Sequence, residues 1–158
     1  MNKLFTLFVL VLVLVLTGCA SNKDTSDFSS VIGKDWKLIE VRIENPIVTR
    51  EVIFDRSSLS KEKAGNVFTL KFSKGGTLTG EAAPNRYNGP YTLGEEEKSI
   101  SIGPLVPTEN PVLWQPERLR EADYFQYLQN VYEWYVVNKR LVLFTVNAAG
   151  QEVQLIFS

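Results

Sequence analysis

The sequence predicts a mainly β domain built from about eight antiparallel strands and one packed α-helix. Three observations favour this class. Segments of alternating apolar and polar residues recur between short turn-forming stretches, β-branched and aromatic residues crowd the C-terminal third, and one segment has helical spacing. We expect a small antiparallel β-barrel or, alternatively, a strongly curved sheet packed against the helix.

The first strands are predicted from alternation. Residues 68–72, FTLKF, alternate strictly, and the following SKGG supplies a turn into TLTG. SISIG, residues 99–103, repeats the pattern after an acidic run at 95–97 that is typical of a solvated turn. WKLIEVRIE, residues 36–44, and VTREVIF, residues 48–54, add one or two strands. Their alternation slips, which indicates a bulge or burial on both faces.

The C-terminal strands are predicted to form a meander. VYEWYVV at 131–137, RLVLFTV at 140–146 and EVQLIF at 152–157 are rich in β-branched and aromatic residues and are separated by short links. The two-residue link between the first pair needs positive φ, which Asn138 tolerates better than Lys139. The turn type therefore stays open.

One segment breaks the strand pattern. Residues 116–130, PERLREADYFQYLQN, begin with Pro and Glu, which suit a first helical turn. The spacing places Leu119, Ala122, Phe125 and Leu128 along one side. We predict a single helix that buries this apolar side against the sheet.

The N-terminal segment carries a processing signal. Residues 1–18 combine an early lysine with an apolar core of about a dozen residues, which is too short for a membrane span of ~20 residues. Leu16-Thr17-Gly18-Cys19 resembles a bacterial lipobox, in which the chain is cut before the cysteine and the cysteine is lipidated. We therefore expect a signal peptide at 1–18, lipidated Cys19 with a flexible tether at 19–33, and one β domain at 34–158.

The expected location follows from that anchor. A lipidated Cys19 attaches the domain to the membrane of the bacterial cell envelope. Ala20 follows the cysteine, where inner-membrane lipoproteins of enteric bacteria tend to have Asp. We expect an outer-membrane lipoprotein that faces the periplasm.

Composition argues against most catalytic classes. The chain has no histidine and one cysteine, so it cannot build Ser-His-Asp or Cys-His chemistry, lacks the commonest zinc ligand, and has no partner for an intramolecular disulfide. Paired carboxylates stay formally possible. The formal net charge is −1, and no basic patch with interleaved aromatics is present. We expect no enzyme activity, cofactor, metal or nucleic acid.

GEAAPNRYNGPY, residues 80–91, has turn-forming residues between two predicted strands. We expect Asn88 and Gly89 to supply a tight reversal with positive φ, and Pro90 to end the ladder behind it. Arg86 could stack on a neighbouring ring or remain in solvent. We interpret the segment as structural.

The order of these segments resembles a known family. Trp36-Lys37-Leu38, FTLKF, GGTLTG, APNRYNGPY, a helix ending in FQYLQNV, YEWYVVNKRLVLF and VQLIF together resemble the META domain, the family of the heat-inducible bacterial lipoprotein HslJ. The family's motif is matched at four positions: Asn85, Tyr87, Gly89 and Tyr91. The chain departs from it at Pro84, where relatives have a cysteine, and near Thr108, where a second cysteine is missing.

The resemblance implies a β-rich envelope domain that is associated with heat or antibiotic stress and has no established catalytic reaction. We expect a non-catalytic lipoprotein that supports envelope maintenance or stress tolerance through an envelope protein partner. Two alternatives stay open: a lipocalin-like carrier of a small apolar ligand, and an inhibitor of a lysozyme or protease. The possible interaction residues are Arg86 and, in the proline-rich loop PTENPVLWQPE, Leu113 and Trp114.

Overall fold

The computed structural model describes residues 27–44, 50–61, 63–111 and 114–158. This part of the chain forms ten β-strands, one α-helix and two short 3₁₀ helices, Phe28–Ser30 and Arg56–Ser58. The elements in chain order are β1 (Trp36–Ile43), β2 (Glu51–Asp55), β3 (Thr69–Phe72), β4 (Thr77–Glu81), β5 (Arg86–Leu93), β6 (Ile100–Ile102), β7 (Val106–Pro107), α1 (Glu121–Gln129), β8 (Glu133–Val137), β9 (Arg140–Val146) and β10 (Glu152–Phe157).

Eight of the strands form one antiparallel sheet in the order β6-β5-β4-β3-β1-β10-β9-β8. The two ends of this sheet meet. Trp134 N donates to Lys98 O at 3.0 Å, and Ile100 N donates to Tyr132 O at 3.1 Å. Because these bonds join the β6 and β8 ends, the sheet is a nearly closed barrel, and the predicted mainly β fold with one helix is confirmed.

Strand β1 pairs with three other strands. It runs beside β10 on one edge, while β3 and β2 share its other edge in succession. The register with β10 shifts between Leu38 and Glu40. Such a bulge increases the local twist and bends the strand. The slip in the sequence alternation therefore marked a real irregularity.

The barrel is filled by its own side chains. Along β3, β5 and β9, buried residues alternate with half-buried or exposed ones, so one face of each strand enters the core. At one end, Tyr124 of α1 packs against Phe68 and Tyr87, with ring centroids 4.9 and 5.9 Å apart. The helix therefore covers an end of the barrel, as a small barrel with a packed interior requires.

The other end is closed by the chain that precedes β1. The Phe28 ring contacts the rings of Phe72, Tyr91 and Trp134, with centroids 5.2, 5.6 and 4.9 Å away. Val31 is fully buried beside it. The domain thus begins before the predicted boundary at residue 34, because residues 27–33 belong to the folded barrel and not to the predicted tether.

The helix is shorter than the sequence pattern indicated. It begins at Glu121 and not at Pro116, because Arg120 has extended backbone angles and the Asp123 carboxylate accepts from Arg120 N at 3.1 Å. Leu119 is buried but lies before the helix, and Ala122 is exposed. The apolar side of the helix is carried mainly by Tyr124 and Leu128, which are both fully buried.

The predicted reversal at Asn88 and Gly89 is wrong. Both residues lie inside β5, which continues through Pro90 in register with Thr77 of β4. The chain instead turns at residues 82–85, where the Ala83–Pro84 peptide bond is cis and Ala82 N donates to Asn85 O at 2.6 Å. Pro90 is tolerated because β5 changes partner there, from β7 to β6, so its missing N–H breaks no ladder bond.

The other turns follow their local chemistry. Asn138 and Lys139 both have positive φ, 51° and 62°, which settles the β8–β9 link as a type I′ turn. Gly76 at φ 75° closes the β3–β4 hairpin. Residues 95–97 form an exposed turn before β6, as expected of an acidic run.

Candidate functional site

Asn85 is the centre of a polar network at the turn between β4 and β5. Its side chain is buried, and its Oδ1 accepts from Thr108 Oγ1 at 2.9 Å and from Asn110 N at 2.7 Å. Its Nδ2 donates to Glu121 Oε1 at 2.8 Å, and its backbone N donates to Glu121 Oε2 at 3.0 Å. The network ties the turn to the loop after β7 and to the first residue of α1.

The polar atoms of this network bond one another, so they are already occupied and are not free to bind a ligand. Both lone pairs of Asn85 Oδ1 have donors, and both oxygens of the Glu121 carboxylate have acceptor bonds within the domain. Thr108 Oγ1 additionally accepts from Arg86 N at 3.2 Å. The arrangement therefore joins the turn, the loop after β7 and the helix through hydrogen bonds within the domain.

Tyr87 forms a buried hydroxyl pair with Tyr124. The two hydroxyl oxygens lie 3.0 Å apart, and Tyr87 Oη donates to Thr69 O at 2.7 Å. Burial raises the pKa of Tyr87 well above its ordinary value, and burial likewise raises the pKa of Tyr124. Both phenols are neutral at physiological pH and act as hydrogen-bonding groups of the core.

Gly80 makes room for this pair. It lies directly across the ladder from Tyr87, and a Cβ at position 80 would lie 2.1 Å from Thr69 O and 2.5 Å from Tyr87 Oη. Here the β3–β4 ladder opens, because Glu81 N bonds Thr69 Oγ1 at 2.9 Å in place of a main-chain carbonyl. The Tyr87 hydroxyl donates to Thr69 O and takes the place of a main-chain donor at this point of the ladder.

The two remaining motif residues also pack the barrel. A Cβ on Gly89 would lie 2.9 Å from Pro104 O, so glycine permits the segment after β6 to cross β5 closely. Tyr91 Oη donates to Ser73 O at 2.7 Å while its ring packs in the core. The four motif residues therefore share one role, which is to hold β5 in place.

Arg56 organises the loop between β2 and β3. Its guanidinium donates to the carbonyls of Leu38, at 2.6 Å, and of Ala64 and Val67. Burial lowers the pKa of this guanidinium. It forms no ion pair with a carboxylate of the described residues. A planar, five-donor group is needed to serve several carbonyls at once.

Arg86, a predicted interaction residue, lies on the outer surface. Its side chain is 80 % exposed and its Nε is 3.4 Å from Glu81 Oε1. It borders an open groove of about 660 Å³ on the outside of β3, β4 and β5. The groove also contains Lys37 and Lys71, which were not among the predicted site residues. The sequence marks these two lysines only by their outward-facing positions in the alternating strands.

Trp114 does not present a free aromatic ring. It is half-buried, and the Lys63 ammonium lies 4.9 Å from the centre of its ring. It borders a second open groove of about 340 Å³. Leu113 and Cys19, the two other predicted sites, lie outside the described residues.

The described part of the chain offers neither a cluster of metal ligands nor a membrane-spanning helix. Among the residues that the structure describes, no group of three or more His, Cys, Asp or Glu side chains could hold a metal ion. No helix within the described ranges is long and apolar enough to cross a membrane.

Comparison with known proteins identifies the family of this chain. The model of the META domain matches residues 29–157, which is nearly the whole described domain. The chain belongs to the META domain family. The match begins at the 3₁₀ helix that closes the barrel, so this META domain includes the segment that the sequence analysis assigned to the tether. A search of curated protein sequences found no match.

Two solved structures resemble the fold of this META domain. One is the NMR structure of a protein from Burkholderia xenovorans, with 20 % identity, a TM-score of 0.54, and coverage of 82 % of this chain and 85 % of that chain. The other is the crystal structure of a DUF4847 family protein from Bacteroides vulgatus, with 13 % identity, a TM-score of 0.53, and coverage of 83 % and 95 %. At these identities the likeness shows the fold alone.

Proposed function

We propose that this META domain protein is a non-catalytic lipoprotein of the bacterial cell envelope. Lipid on Cys19 anchors it to the outer membrane with the domain facing the periplasm. It supports envelope maintenance or stress tolerance by binding an envelope protein through its outer surface.

The packed barrel is the observation that carries this proposal. The core contains large, fully buried side chains from β1, β3, β9 and β10 and from α1, and both barrel ends are covered. The main grooves of the described surface are open to solvent and lie outside the barrel. A domain of this kind works through its surface, because its interior is occupied.

The same observations favour surface binding over the two alternatives. A lipocalin-like carrier needs an interior cavity for its guest, whereas aromatic and aliphatic side chains fill this barrel. A hydrolase inhibitor was expected to use an exposed aromatic anchor, and Trp114 is half-buried beneath Lys63. The lack of histidine further supports a role without catalysis.

The anchor is supported by the lipobox-like sequence ending at Cys19. Each buried methylene contributes about 0.8 kcal/mol, so two or three acyl chains hold a protein stably on a membrane. The test is labelling of cells with radioactive palmitate, followed by fractionation. The unchanged protein should carry label in the membrane fraction, and the Cys19→Ala variant should carry none. A Ser21→Ala variant is the matched control. Label retained on Cys19→Ala would disprove the anchor.

The envelope role has its own test. A deletion strain should lose viability under heat, detergent or antibiotic challenge, and the unchanged gene should restore it while Cys19→Ala should not. Photo-crosslinking from Gln126 on the exposed side of α1 should trap a specific envelope protein, whereas crosslinking from Lys139 at the β8–β9 turn should not. A strain with neither a phenotype nor a trapped partner would contradict the role.

A further inference from the structure

An open groove lies on the outside of β3, β4 and β5, where the β3–β4 ladder becomes irregular. The β3–β4 ladder pairs Lys71 with Thr79 and Phe72 with Leu78 and then ends. Beyond this point, Glu81 N bonds the Thr69 side chain. The groove has a volume of about 660 Å³, within the range of roughly 300–1,000 Å³ that is usual for small-molecule sites.

Three cations border this groove. Lys71 Nζ lies 3.1 Å from Asp35 Oδ1, and Arg86 Nε lies 3.4 Å from Glu81 Oε1. Lys37 forms no ion pair with any described residue. Both ion pairs are exposed, and such pairs contribute little to stability, so their cations can be shared with a ligand. The groove therefore carries one uncompensated positive charge and suits a ligand with negative charge.

The remaining lining is rich in hydrogen-bonding groups. Three residues with amide or hydroxyl side chains line the groove. They are Asn66, which precedes β3, Thr79 of β4 and Asn88 of β5. Its apolar members, Leu70 and Tyr87, are only 1 % and 3 % exposed. A ligand in the groove meets hydrogen-bonding groups together with the apolar carbon atoms of the lining side chains.

These features discriminate between ligand classes. A bound peptide strand gains affinity from a free sheet edge and from pockets for alternate side chains. This groove lies on the outer face of the sheet between β1 and β5, and its lining mixes hydrogen-bonding groups with apolar surface but has no separate pockets for alternate side chains. A sugar ring carries both hydroxyls and apolar C–H faces, so its chemistry fits better.

We propose that this groove binds an acidic sugar or short acidic glycan. Lys37 and Arg86 bind the carboxylate or phosphate, and the Thr and Asn side chains bind the hydroxyls. The site is a further activity beyond the proposed envelope role, because it depends on neither the lipid anchor nor a protein partner. Failure of one test therefore leaves the other proposal standing.

Calorimetric titration of the full chain in mild detergent tests the proposal. The probes are trigalacturonate and glucose 6-phosphate as acidic sugars, maltotriose as a neutral sugar and triglutamate as an acidic peptide. At least one acidic sugar should bind, more weakly as salt is raised, while maltotriose and triglutamate should bind at least about tenfold more weakly. Binding of trigalacturonate would indicate a site for a carboxylate, and binding of glucose 6-phosphate would indicate a site for a phosphate.

Variants then locate the site. Lys37→Ala and Arg86→Ala should each weaken binding about tenfold, whereas Lys139→Ala, at the exposed β8–β9 turn, should leave it unchanged. All three positions are exposed, so thermal unfolding should confirm that each variant folds. No binding by either acidic sugar, equal binding by maltotriose or triglutamate, or equal loss in Lys139→Ala would overturn the proposal.

Discussion

Both carboxylate oxygens of Glu121 accept hydrogen bonds from Asn85. One oxygen accepts from the Asn85 side chain at 2.8 Å and the other from its backbone N at 3.0 Å. Glu121 is also the first residue of α1, so the turn between β4 and β5 is bonded directly to the helix N-terminus. A negative charge there is favoured by the helix dipole as well. This pair fixes where the helix sits on the barrel end.

Replacing Asn85 should be costly. In Asn85→Ala, the Glu121 carboxylate, Thr108 and Asn110 N each lose a partner at a part-buried site. We expect the free energy of unfolding to fall by about 1 to 2 kcal/mol, because several hydrogen bonds, one of them to a charged carboxylate, are lost together. Urea denaturation measures this loss. Asn88→Ala, at an exposed position on the strand that follows the turn, should change it by less than about 0.5 kcal/mol.

A double-mutant cycle tests the pairing itself. Asn85→Ala and Glu121→Ala should together cost less than the sum of the two separate changes, with a coupling energy of about 1 to 2 kcal/mol. Purely additive losses would show that the two residues act independently, against the geometry of the pair.

The buried tyrosine pair predicts a loss of stability in base. The pKa of Tyr87 and of Tyr124 is raised in the folded protein, and an unfolded tyrosine has a pKa near 10. Their stabilising contribution is therefore complete below pH ~10 and declines above it, by about 1 kcal/mol per tyrosine between pH 10 and 11. Urea denaturation across this range measures the slope.

Variants assign that slope to the pair. Tyr87→Phe should reduce the decline by about 1 kcal/mol, and it should cost about 1 to 2 kcal/mol at pH 7, because Thr69 O and the Tyr124 hydroxyl lose their best partner. Tyr135→Phe is the comparison, since the Tyr135 hydroxyl bonds Glu133 at the surface side of β8. This bond also raises the Tyr135 pKa, but the hydroxyl is exposed to solvent, so its removal should reduce the decline by less than Tyr87→Phe does. An unchanged slope in Tyr87→Phe would argue against the raised pKa.

Arg56 should not be replaceable by lysine. Arg56→Lys keeps the charge but loses the planar donors that serve several carbonyls between residues 38 and 67. We expect a loss of about 2 kcal/mol and faster hydrogen exchange in residues 63–68. Arg118→Lys, at an exposed pair with Glu51, should cost under about 0.5 kcal/mol. Equal losses in both variants would contradict this account.

Gly80 should tolerate no side chain. In Gly80→Ala, the new methyl group would overlap Thr69 O and the Tyr87 hydroxyl, so the tyrosine pair must move. We expect a loss of about 2 kcal/mol by urea denaturation. A Cβ at Gly75 meets no atom within 4 Å, and Gly75→Ala should be nearly neutral. A neutral Gly80→Ala would show that the ladder opening is not occupied as described.

Much of the fold could be predicted from alternation, because each barrel strand has one buried face. The Phe28 segment could not be predicted in this way. One aromatic residue in a Ser-rich stretch has no periodicity, and its burial depends on contacts with Phe72, Tyr91 and Trp134, which are distant in sequence. The helix start was missed for a related reason. Pro116 suits a first turn locally, but tertiary contacts keep residues 116–120 extended or in turns.

The site was predicted less completely than the fold. The motif residues were identified from the resemblance, and the structure shows why Tyr87 and Gly89 are needed. Their interpretation as a tight turn failed, because an Asn-Gly pair favours a turn only where packing does not require the glycine for close approach. Glu121 could not be foreseen as the partner of Asn85, since no local pattern joins residues 36 positions apart.

The burial of Phe28 limits where the domain can stand relative to a bilayer. Only nine peptide links separate residue 19 from residue 28, and a fully extended chain of that length spans about 30 Å at most. With Cys19 lipidated as proposed, Phe28 and the acidic turn at 95–97 beside it stay within about 30 Å of the membrane. The domain is then held close to the lipid, so a partner would meet it near the membrane surface.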